Sequence, residues 1–446
     1  MTQALYLERL KQLSSRLVSL QKPIRILDAI KWPAELEERF RAQGGRELPE
    51  LGADFYQRQK LGFEPDTVYQ LLAELKGDVR RQLGRGDALG KILQSTIDQY
   101  QIVIELLRHR GRPEFGHFSR MLYGSASDNL RGDRKTLRQM GEQLCHIFSL
   151  PAVEHLNRPY TNHIPAENAV QILHERMANY FGPGEVRVQI SDDIVSDASA
   201  GGDCIKINRR ARFSELDLQV LEVHEGWVHI GTTLNGRLQP WATWLSVGSP
   251  RITAIQEGMA VLLETLTFSS FPQRARRISD RVVAVDLAER GANFCEVYHH
   301  FLNSGVSEHD SYRVTQRVFR GGTLEGGSVF TKDISYVKGF VENVNFIRSA
   351  IQSGVPEIIP MLFVGKVTLD DLPLLYERHL EGVIAAPKYL PSMFKNLNGL
   401  YVWFGFSSGI SSMNIARVQQ HFSKMFEQFP RAAHLYPNQN NDAEIN

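Results

Sequence analysis

The amino-acid sequence predicts an α+β protein that is mainly helical, with a small β-sheet beside a functional helix. In the first 160 residues, apolar residues recur at three- and four-residue spacing, for example in the segments 66–83 and 92–109. Amphipathic helices have this spacing. Residues alternate between apolar and polar in EVRVQI (185–190) and CIKIN (204–208), as they do in half-buried strands. An H-E-x-x-x-H motif follows these two segments directly.

The composition argues against several classes of protein. Of the 446 residues, 42% are hydrophobic and 23% are charged, which is typical of globular proteins. The 51 basic and 50 acidic residues give a net charge of +1, and this balance argues against a nucleic-acid-binding protein. The short basic runs 108–110 and 274–277 are interpreted as solvated helix ends rather than phosphate contacts.

We expect a cytoplasmic protein without a membrane partner. The first residues are charged and amphipathic, and they lack the apolar region of a secretory signal. No run of about 18 apolar residues occurs, so no membrane span is expected. Cys145, Cys204 and Cys295 are far apart in the sequence, which favours reduced thiols over a disulfide framework or a cysteine-based zinc module.

The composition also divides the chain into three regions. Pro159 and Pro165 frame a connector that follows the mostly helical residues 1–160. Residues 161–435 contain the motifs with candidate chemistry, and we predict that they form the catalytic region. The polar residues 436–446 are expected to be disordered.

Helix start and stop signals surround the motif. The segment 166–182 predicts a helix that ends at a glycine. Ser214 and Asp217 form a capping-box pair at the start of the motif helix, which we expect to end at Asn235-Gly236. The next helix is expected to begin at Ser249-Pro250, because proline is favoured at the first helical position.

The motif HEGWVH places His224 and His229 five residues apart. In the zinc-peptidase pattern H-E-x-x-H the spacing is four, which puts both histidines on one face of a helix. In an ideal α-helix, residues five apart differ by about 140° and point away from each other. A π-type turn of roughly 4.4 residues brings them within about 50°, and Gly226 makes such a distortion easier. We therefore predict a widened turn that lets both histidines bind one metal ion, although a lone match of this pattern can also arise by chance.

The next helix supplies candidates for a third ligand. Glu257 and Glu264 are seven residues apart and so lie on one helical face. We choose Glu257, because Gly258 beside it permits close approach of a neighbouring helix. Glu264 is interpreted as a helix-surface carboxylate or as one that supports a ligand. Two histidines and a glutamate with an open fourth position are typical of catalytic zinc, and Glu225 would act on the metal-bound water as general base.

With HEGWVH and QEGMA (256–260), the chain resembles the flavohaemoglobin-expression-modulating QEGLA-motif proteins of bacteria. That family is related to the microtubule-associated tyrosine carboxypeptidases, which are zinc enzymes. The resemblance extends from about residue 50 to residue 420. It implies a gluzincin-like zinc metallopeptidase core in which His224, His229 and Glu257 bind Zn²⁺ and Glu225 is the catalytic acid/base.

The family also has an arginine-glycine stretch and a K-D-x-x-Y-x-x-G stretch, found here at 320–322 and 332–339. A carboxypeptidase must bind a free C-terminal carboxylate, for which arginine and lysine are suited. Arg320 and Lys332 are the candidates, with Arg317 behind them, and Tyr336 is a candidate donor to the oxyanion. The alternative for each is a structural salt bridge or a packed tyrosine.

The resemblance further implies an edge strand that pairs with extended substrate beside the active-site helix. The segment 204–208 is the candidate, and a plain core strand is the alternative. The residues 191–203 before it are rich in turn formers and are predicted as a loop.

We therefore expect a zinc-dependent carboxypeptidase that acts on a peptide or protein C-terminus, with tyrosine or another aromatic residue as a candidate for removal. No segment resembles a basic disordered arm for microtubules, so tubulin is not expected as a substrate and the preferred residue stays open. The alternative is a non-catalytic zinc-binding regulator of gene expression or protein levels. Glu225 favours the enzyme, since a structural zinc site needs no base. A DNA-binding regulator is disfavoured because no helix-turn-helix signature is found.

Overall fold

A computed structural model describes residues 2–149, 162–192, 194 and 196–427. The predicted connector near residue 160 and the predicted disordered tail 436–446 lie largely or wholly outside these residues, so the three-region division stays a prediction. The first described range forms helices α1 (Gln3–Gln21), α2 (Ile26–Ala29), α3 (Glu35–Ala42), α4 (Ala53–Arg58), α5 (Pro65–Gln82), α6 (Ala88–Arg108), α7 (Glu114–Tyr123) and α8 (Leu137–Phe148). The helices predicted at 66–83 and 92–109 are confirmed as α5 and α6.

Strands and one helix follow in the second part of the chain. In order they are β1 (Ile164–Pro165), α9 (Ala166–Phe181), β2 (Arg187–Ser191), β3 (Ala198–Gly201), β4 (Cys204–Asn208) and β5 (Arg212–Phe213). One sheet has the order β2-β4-β3, in which β2 is parallel and β3 antiparallel to β4. β1 and β5 form a separate antiparallel pair. The helix predicted at 166–182 is confirmed as α9, and Gly182 ends it with a φ of 106°.

Of the two alternatives for 204–208, the plain core strand is confirmed and the edge strand is wrong. β4 is the central strand and pairs on both sides, and the edge strand is β3, inside the segment predicted as a loop. Ile205 and Ile207 of β4 are fully buried, which explains its central place. β3 has the sequence Ala-Ser-Ala-Gly, whose residues lack the β-branched and aromatic side chains that identify a strand.

One continuous helix carries the H-E-x-x-x-H motif, and it contains a predicted π-type distortion. It consists of α10 (Glu215–Leu221), a π-helical segment (Glu222–Ile230) and α11 (Gly231–Arg237). The capping box is confirmed: the amide of Asp217 donates to Ser214 Oγ at 3.2 Å, and the amide of Ser214 donates to Asp217 Oδ2 at 2.9 Å. The helix ends at Arg237, one residue later than predicted. Asn235 is buried within it, and its side-chain amide donates to the carbonyls of Phe363 and Tyr389.

The remaining chain is helical. It contains 3₁₀ turns at Thr243–Ser246, Pro250–Ile252, Thr331–Ile334, Pro356–Phe363 and Leu369–Asp371, and helices α12 (Thr253–Leu266), α13 (Pro272–Glu289), α14 (Phe294–Asn303), α15 (Glu308–Phe319), α16 (Ser335–Gln352), α17 (Leu372–Leu380), α18 (Ser392–Lys395), α19 (Leu397–Ser411) and α20 (Ile415–Phe426). The start predicted at Ser249-Pro250 is a 3₁₀ turn that leads into α12. Among the described helices, none has both the length and the apolar content to cross a membrane.

The motif helix lies between two hydrophobic cores. The larger core includes Val223 and Val228 of this helix, together with residues of helices from α1 to α19. The smaller core includes Leu218 and Leu234 of the same helix and packs against the sheet and α9. The motif is therefore held from two sides, which restricts how its turn can relax.

Two glycines let α12 and α16 cross in backbone contact. A Cβ atom added at Gly258 would overlap the backbone of Gly339, and one added at Gly339 would overlap the carbonyl of Ala254. The close approach predicted for Gly258 is confirmed. It fixes α12, and with it Glu257, against the helix that carries Tyr336.

Candidate metal centre

The π-helical segment brings the two motif histidines together. The ring centroids of His224 and His229 are 4.9 Å apart with an interplanar angle of 82°. The predicted widened turn is thus confirmed. Gly226 allows the widened turn to pack against α9, because a Cβ atom at this position would lie 2.7 Å from Sδ and Cε of Met177.

Glu257 from α12 completes a set of three donor atoms. Its Oε2 lies 3.5 Å from Nε2 of His224 and 3.8 Å from Nε2 of His229. The three donor atoms lie within 4.8 Å of one another. Tetrahedral zinc with bonds of about 2.0–2.1 Å places its ligand atoms roughly 3.3 Å apart, so the residues fit a zinc ion with small adjustments.

The Oε2 atom of Glu257 is the most informative atom of the site. It is buried, and among the described residues it has no hydrogen-bond partner. A buried carboxylate oxygen without a partner carries a large desolvation cost. A cation between this oxygen and the two imidazoles would remove that cost.

The charges of the site also favour a cation. Burial disfavours the charged form of His224, but the nearby carboxylates of Glu257 and Glu264 outweigh burial and raise the pKa of its imidazole to about 10. Burial would raise the pKa of the Glu257 carboxyl, yet Lys332 and the two imidazoles hold it well below its usual value. The carboxylates therefore stabilise positive charge at the position where a metal ion would lie.

Glu264 and Arg274 support His224 from behind. Nδ1 of His224 lies 2.6 Å from Oε1 of Glu264, which is fully buried. Arg274 donates to both oxygens of Glu264, each at 2.6 Å. Burial would raise the pKa of Glu264, but Arg274 and His224 lower it to about 2. Because the ionised carboxylate only accepts, Nδ1 of His224 is the donor and Nε2 is left to bind a metal.

The interpretation of 274–277 as a solvated helix end is therefore wrong. The side chain of Arg274 is only 20% exposed, and its charge is paired with a buried carboxylate. Glu264 is not on the helix surface, whereas its alternative role of supporting a ligand agrees with these contacts.

A further group, which sequence reasoning missed, holds the backbone of the widened turn. Nζ of Lys366 donates to the carbonyl of His229 at 2.9 Å and to Oε1 of Gln256 at 2.7 Å. Thr232 donates to the same Gln256 oxygen at 2.9 Å. Burial lowers the pKa of Lys366 to about 7. The glutamine of QEGMA thus ties α12 to the motif helix, but no local pattern marks Lys366.

The side chain of Glu225 extends from the motif helix to the edge strand β3. The amide of Ala200 in β3 donates to Oε2 of Glu225 at 2.9 Å. Among the described residues, its other oxygen accepts no hydrogen bond in the structure. One oxygen therefore orients the carboxylate, while the other is available for proton transfer.

The residues predicted to bind substrate do lie near the site, but they differ in their partners. Tyr336 stacks beside His224 with 6.4 Å between ring centroids. Lys332 donates to Oε1 of Glu257 at 2.9 Å. Arg317 donates twice to Asp333, at 2.5 and 2.8 Å, so its charge is already paired. Nε of Arg320 is buried and has no hydrogen-bond partner in the described part of the chain.

Arg281 is a second residue that sequence reasoning missed. Its guanidinium lies 4.2 Å from the ring centroid of Tyr336, and its nearest carboxylate oxygen, on Asp333, is 4.0 Å away. Burial, followed by the nearby charge of Arg317, lowers the pKa of Arg281. Arg274 and Arg281 are seven residues apart on α13, and this helical spacing was the signal that could have placed them on one face.

A family model described as microtubule-associated tyrosine carboxypeptidase matches residues 38–412. A search of curated proteins finds no match.

Proposed function

The chain belongs to the microtubule-associated tyrosine carboxypeptidase family, and from this premise we propose that it is a zinc-dependent carboxypeptidase. His224, His229 and Glu257 would hold Zn²⁺. The observation that carries this proposal is the buried, unpartnered Oε2 of Glu257 beside the Nε2 atoms of two imidazoles. When bound, the ion would act as a Lewis acid that makes water nucleophilic near neutral pH.

Glu225 would be the general base. It is adjacent in sequence to His224, and the Ala200 amide fixes one of its oxygens. The other oxygen would accept a proton from the attacking water and then deliver it to the leaving amine. A non-catalytic regulator would not need a carboxylate held in this way.

The cationic groups around Tyr336 would bind the C-terminal carboxylate of the substrate. Arg281 and Arg320 are better suited than Arg317, because Asp333 already neutralises Arg317. Burial and the charge of Arg317 lower the pKa of Arg320 to about 10, as expected of a cation that lacks its own carboxylate. Tyr336, between His224 and Arg281, would donate to the oxyanion.

The edge strand that pairs with substrate would be β3 instead of 204–208. Ala200 directs its amide towards Glu225, so the unpaired edge of β3 faces the motif helix. Residues two apart in a strand point the same way, which gives Ala198 the same orientation. An extended peptide added here would pass beside Glu225 on its way to the arginines.

The proposed substrate class is a peptide or protein with a free C-terminus, without a preference for one C-terminal residue being assigned. The test is a mass-spectrometric screen of matched peptides with free and amidated C-termini, using zinc-loaded protein. We expect rapid release of single C-terminal residues from the free peptides and only slow cleavage of the amidated ones. Equal cleavage of both sets would indicate an endopeptidase, and no cleavage of any peptide would favour the regulator.

A further inference from the structure

The last two described helices expose an unusual amount of apolar surface. Ten apolar side chains of α19, α20 and the connection between them are between 42% and 74% exposed. They are Tyr401, Val402, Trp403, Phe406, Ile410, Met413, Ile415, Phe422, Met425 and Phe426. Contiguous apolar patches of this kind mark interaction surfaces. The feature is separate from the metal centre, and α20 begins beyond residue 412, where the family match ends.

The surface of α19 contains a groove of about 950 Å³. Val402, Trp403, Phe406 and Ile410 line it, and of α20 only Ile415 reaches it among the described residues. The N-terminal part of α19 is anchored, since Leu400 and Phe404 are buried. The groove is thus an apolar concavity anchored at one end, and its shape fits the ridge of a helix.

α20 is an amphipathic helix, and the described part of the chain provides no surface that buries its apolar face. Ile415, Val418 and Phe422 follow helical spacing on one face, while Arg417 and Lys424 lie on the opposite face. Against the rest of the described chain, no residue of α20 is buried. An isolated helix of 12 residues is only marginally stable in water, so α20 requires an apolar surface to pack against.

We infer that the occupant of the groove is α20 of a second copy of this chain, exchanged reciprocally across a two-fold axis. Within its described residues, one chain has a groove that no helix fills and an apolar helix face that no groove covers. A two-fold exchange fills the groove and buries the apolar face of α20 in both copies, because each copy donates its helix and receives that of its partner. The inference does not depend on the proposed catalytic function.

Area and charge agree with a second copy. Taking roughly 75–125 Å² for each half-exposed side chain, half of what a buried aromatic side chain covers, the ten side chains offer at most about 750–1,250 Å². A stable interface needs about 800 Å² from each partner. No charged residue occurs from 397 to 416, so two copies bring no like charges into the groove, and Arg417 and Lys424 stay on the outer face.

Sedimentation velocity of the full-length protein across micromolar concentrations tests the inference. The wild type should reach about twice the 50.6 kDa mass of one chain. Phe406→Glu in the groove and Phe422→Lys in the helix should each raise the dimer dissociation constant by about 30-fold or more. Phe406 and Phe422 are 74% and 46% exposed, so folding should be unaffected. Leu380→Glu, at a 70% exposed site on α17, is the control and should dimerise normally.

Mixing the two variants makes the test specific for exchange. In the mixed dimer, one contact is unchanged and the other joins the new glutamate to the new lysine, so dimerisation should return. A monomeric wild type, normal dimerisation of Phe422→Lys, or no recovery on mixing would overturn the inference. Co-sedimentation of a monomer with vesicles of phosphatidylcholine and phosphatidylserine would assign the surface to membranes instead.

Discussion

His224 is the residue of the candidate site whose two ring nitrogens both face a carboxylate. Glu264 fixes its Nδ1 atom and Glu257 faces its Nε2 atom, so the imidazole has one orientation, and its neutral form has one tautomer. The adjacent Glu225 is oriented by the backbone of β3. These contacts give each side chain of the motif a separate part in the proposed chemistry.

Replacing Glu264 should weaken metal binding, although Glu264 would not itself be a metal ligand. We expect Glu264→Gln to lower zinc affinity by about 10–100-fold, because His224 loses the partner that orients it. Leaving the charge of Arg274 buried and unpaired should also reduce the free energy of unfolding by about 3–5 kcal/mol. Zinc titration and chemical denaturation measure the two effects. Glu342→Gln, a buried carboxylate on α16, is the control and should leave zinc affinity unchanged.

Glu225→Gln should retain zinc and lose activity. Proton transfer by a positioned base contributes about 10²–10⁴-fold to rate, so kcat should fall by that factor while metal content stays at the wild-type value. Steady-state kinetics measure kcat, and metal analysis of the same preparation measures the zinc content. Undiminished turnover would exclude Glu225 as the base.

Arg281 should determine recognition of the substrate's free carboxylate. We expect Arg281→Met to lower kcat/KM for free-acid peptides by about 10–100-fold, the value of a charge-assisted hydrogen bond, and to leave the slow cleavage of amidated peptides unchanged. Arg276→Met, on the same helix but paired with Asp280, should behave as wild type. Equal losses on free and amidated peptides would mean that Arg281 has only a structural role.

At the scale of elements, the part of the site within one helix could be predicted and the part formed by distant contacts could not. Five-residue spacing of His224 and His229 requires a widened turn by geometry alone. β3 could not be predicted, because Ala-Ser-Ala-Gly has low strand propensity and becomes a strand only by pairing with β4. Lys366 lies more than 100 residues from the motif in sequence. Its contact with the motif helix therefore could not be predicted from the residues around either one.

The crossing of α12 and α16 should tolerate no side chain at its glycines. Gly339→Ala would force a Cβ atom into the carbonyl of Ala254, so we expect a loss of about 3 kcal/mol in the free energy of unfolding. Gly405→Ala in α19 is the matched control, since a Cβ atom there meets no described atom within 4 Å. It should stabilise the protein by about 0.5–1 kcal/mol through helix propensity. Equal effects of the two substitutions would contradict the packing described for this crossing.

In the whole molecule, the motif helix of the candidate metal centre connects the two hydrophobic cores. The motif helix contributes residues to both, and Glu257 comes from a helix of the larger core. Zinc binding should therefore stabilise the folded chain as a unit. With zinc at about 1,000 times its dissociation constant, the gain is about 4 kcal/mol, so the melting temperature should rise by several degrees. Calorimetry with and without a chelator measures this rise, and His229→Ala should abolish it.

Anomalous diffraction at the zinc edge, from crystals of the zinc-loaded protein, tests the central claim most directly. We expect one peak within about 2.0–2.2 Å of Nε2 of His224, Nε2 of His229 and a carboxylate oxygen of Glu257. A protein that binds no zinc, or a peak elsewhere with the two imidazoles turned away from each other, would contradict it.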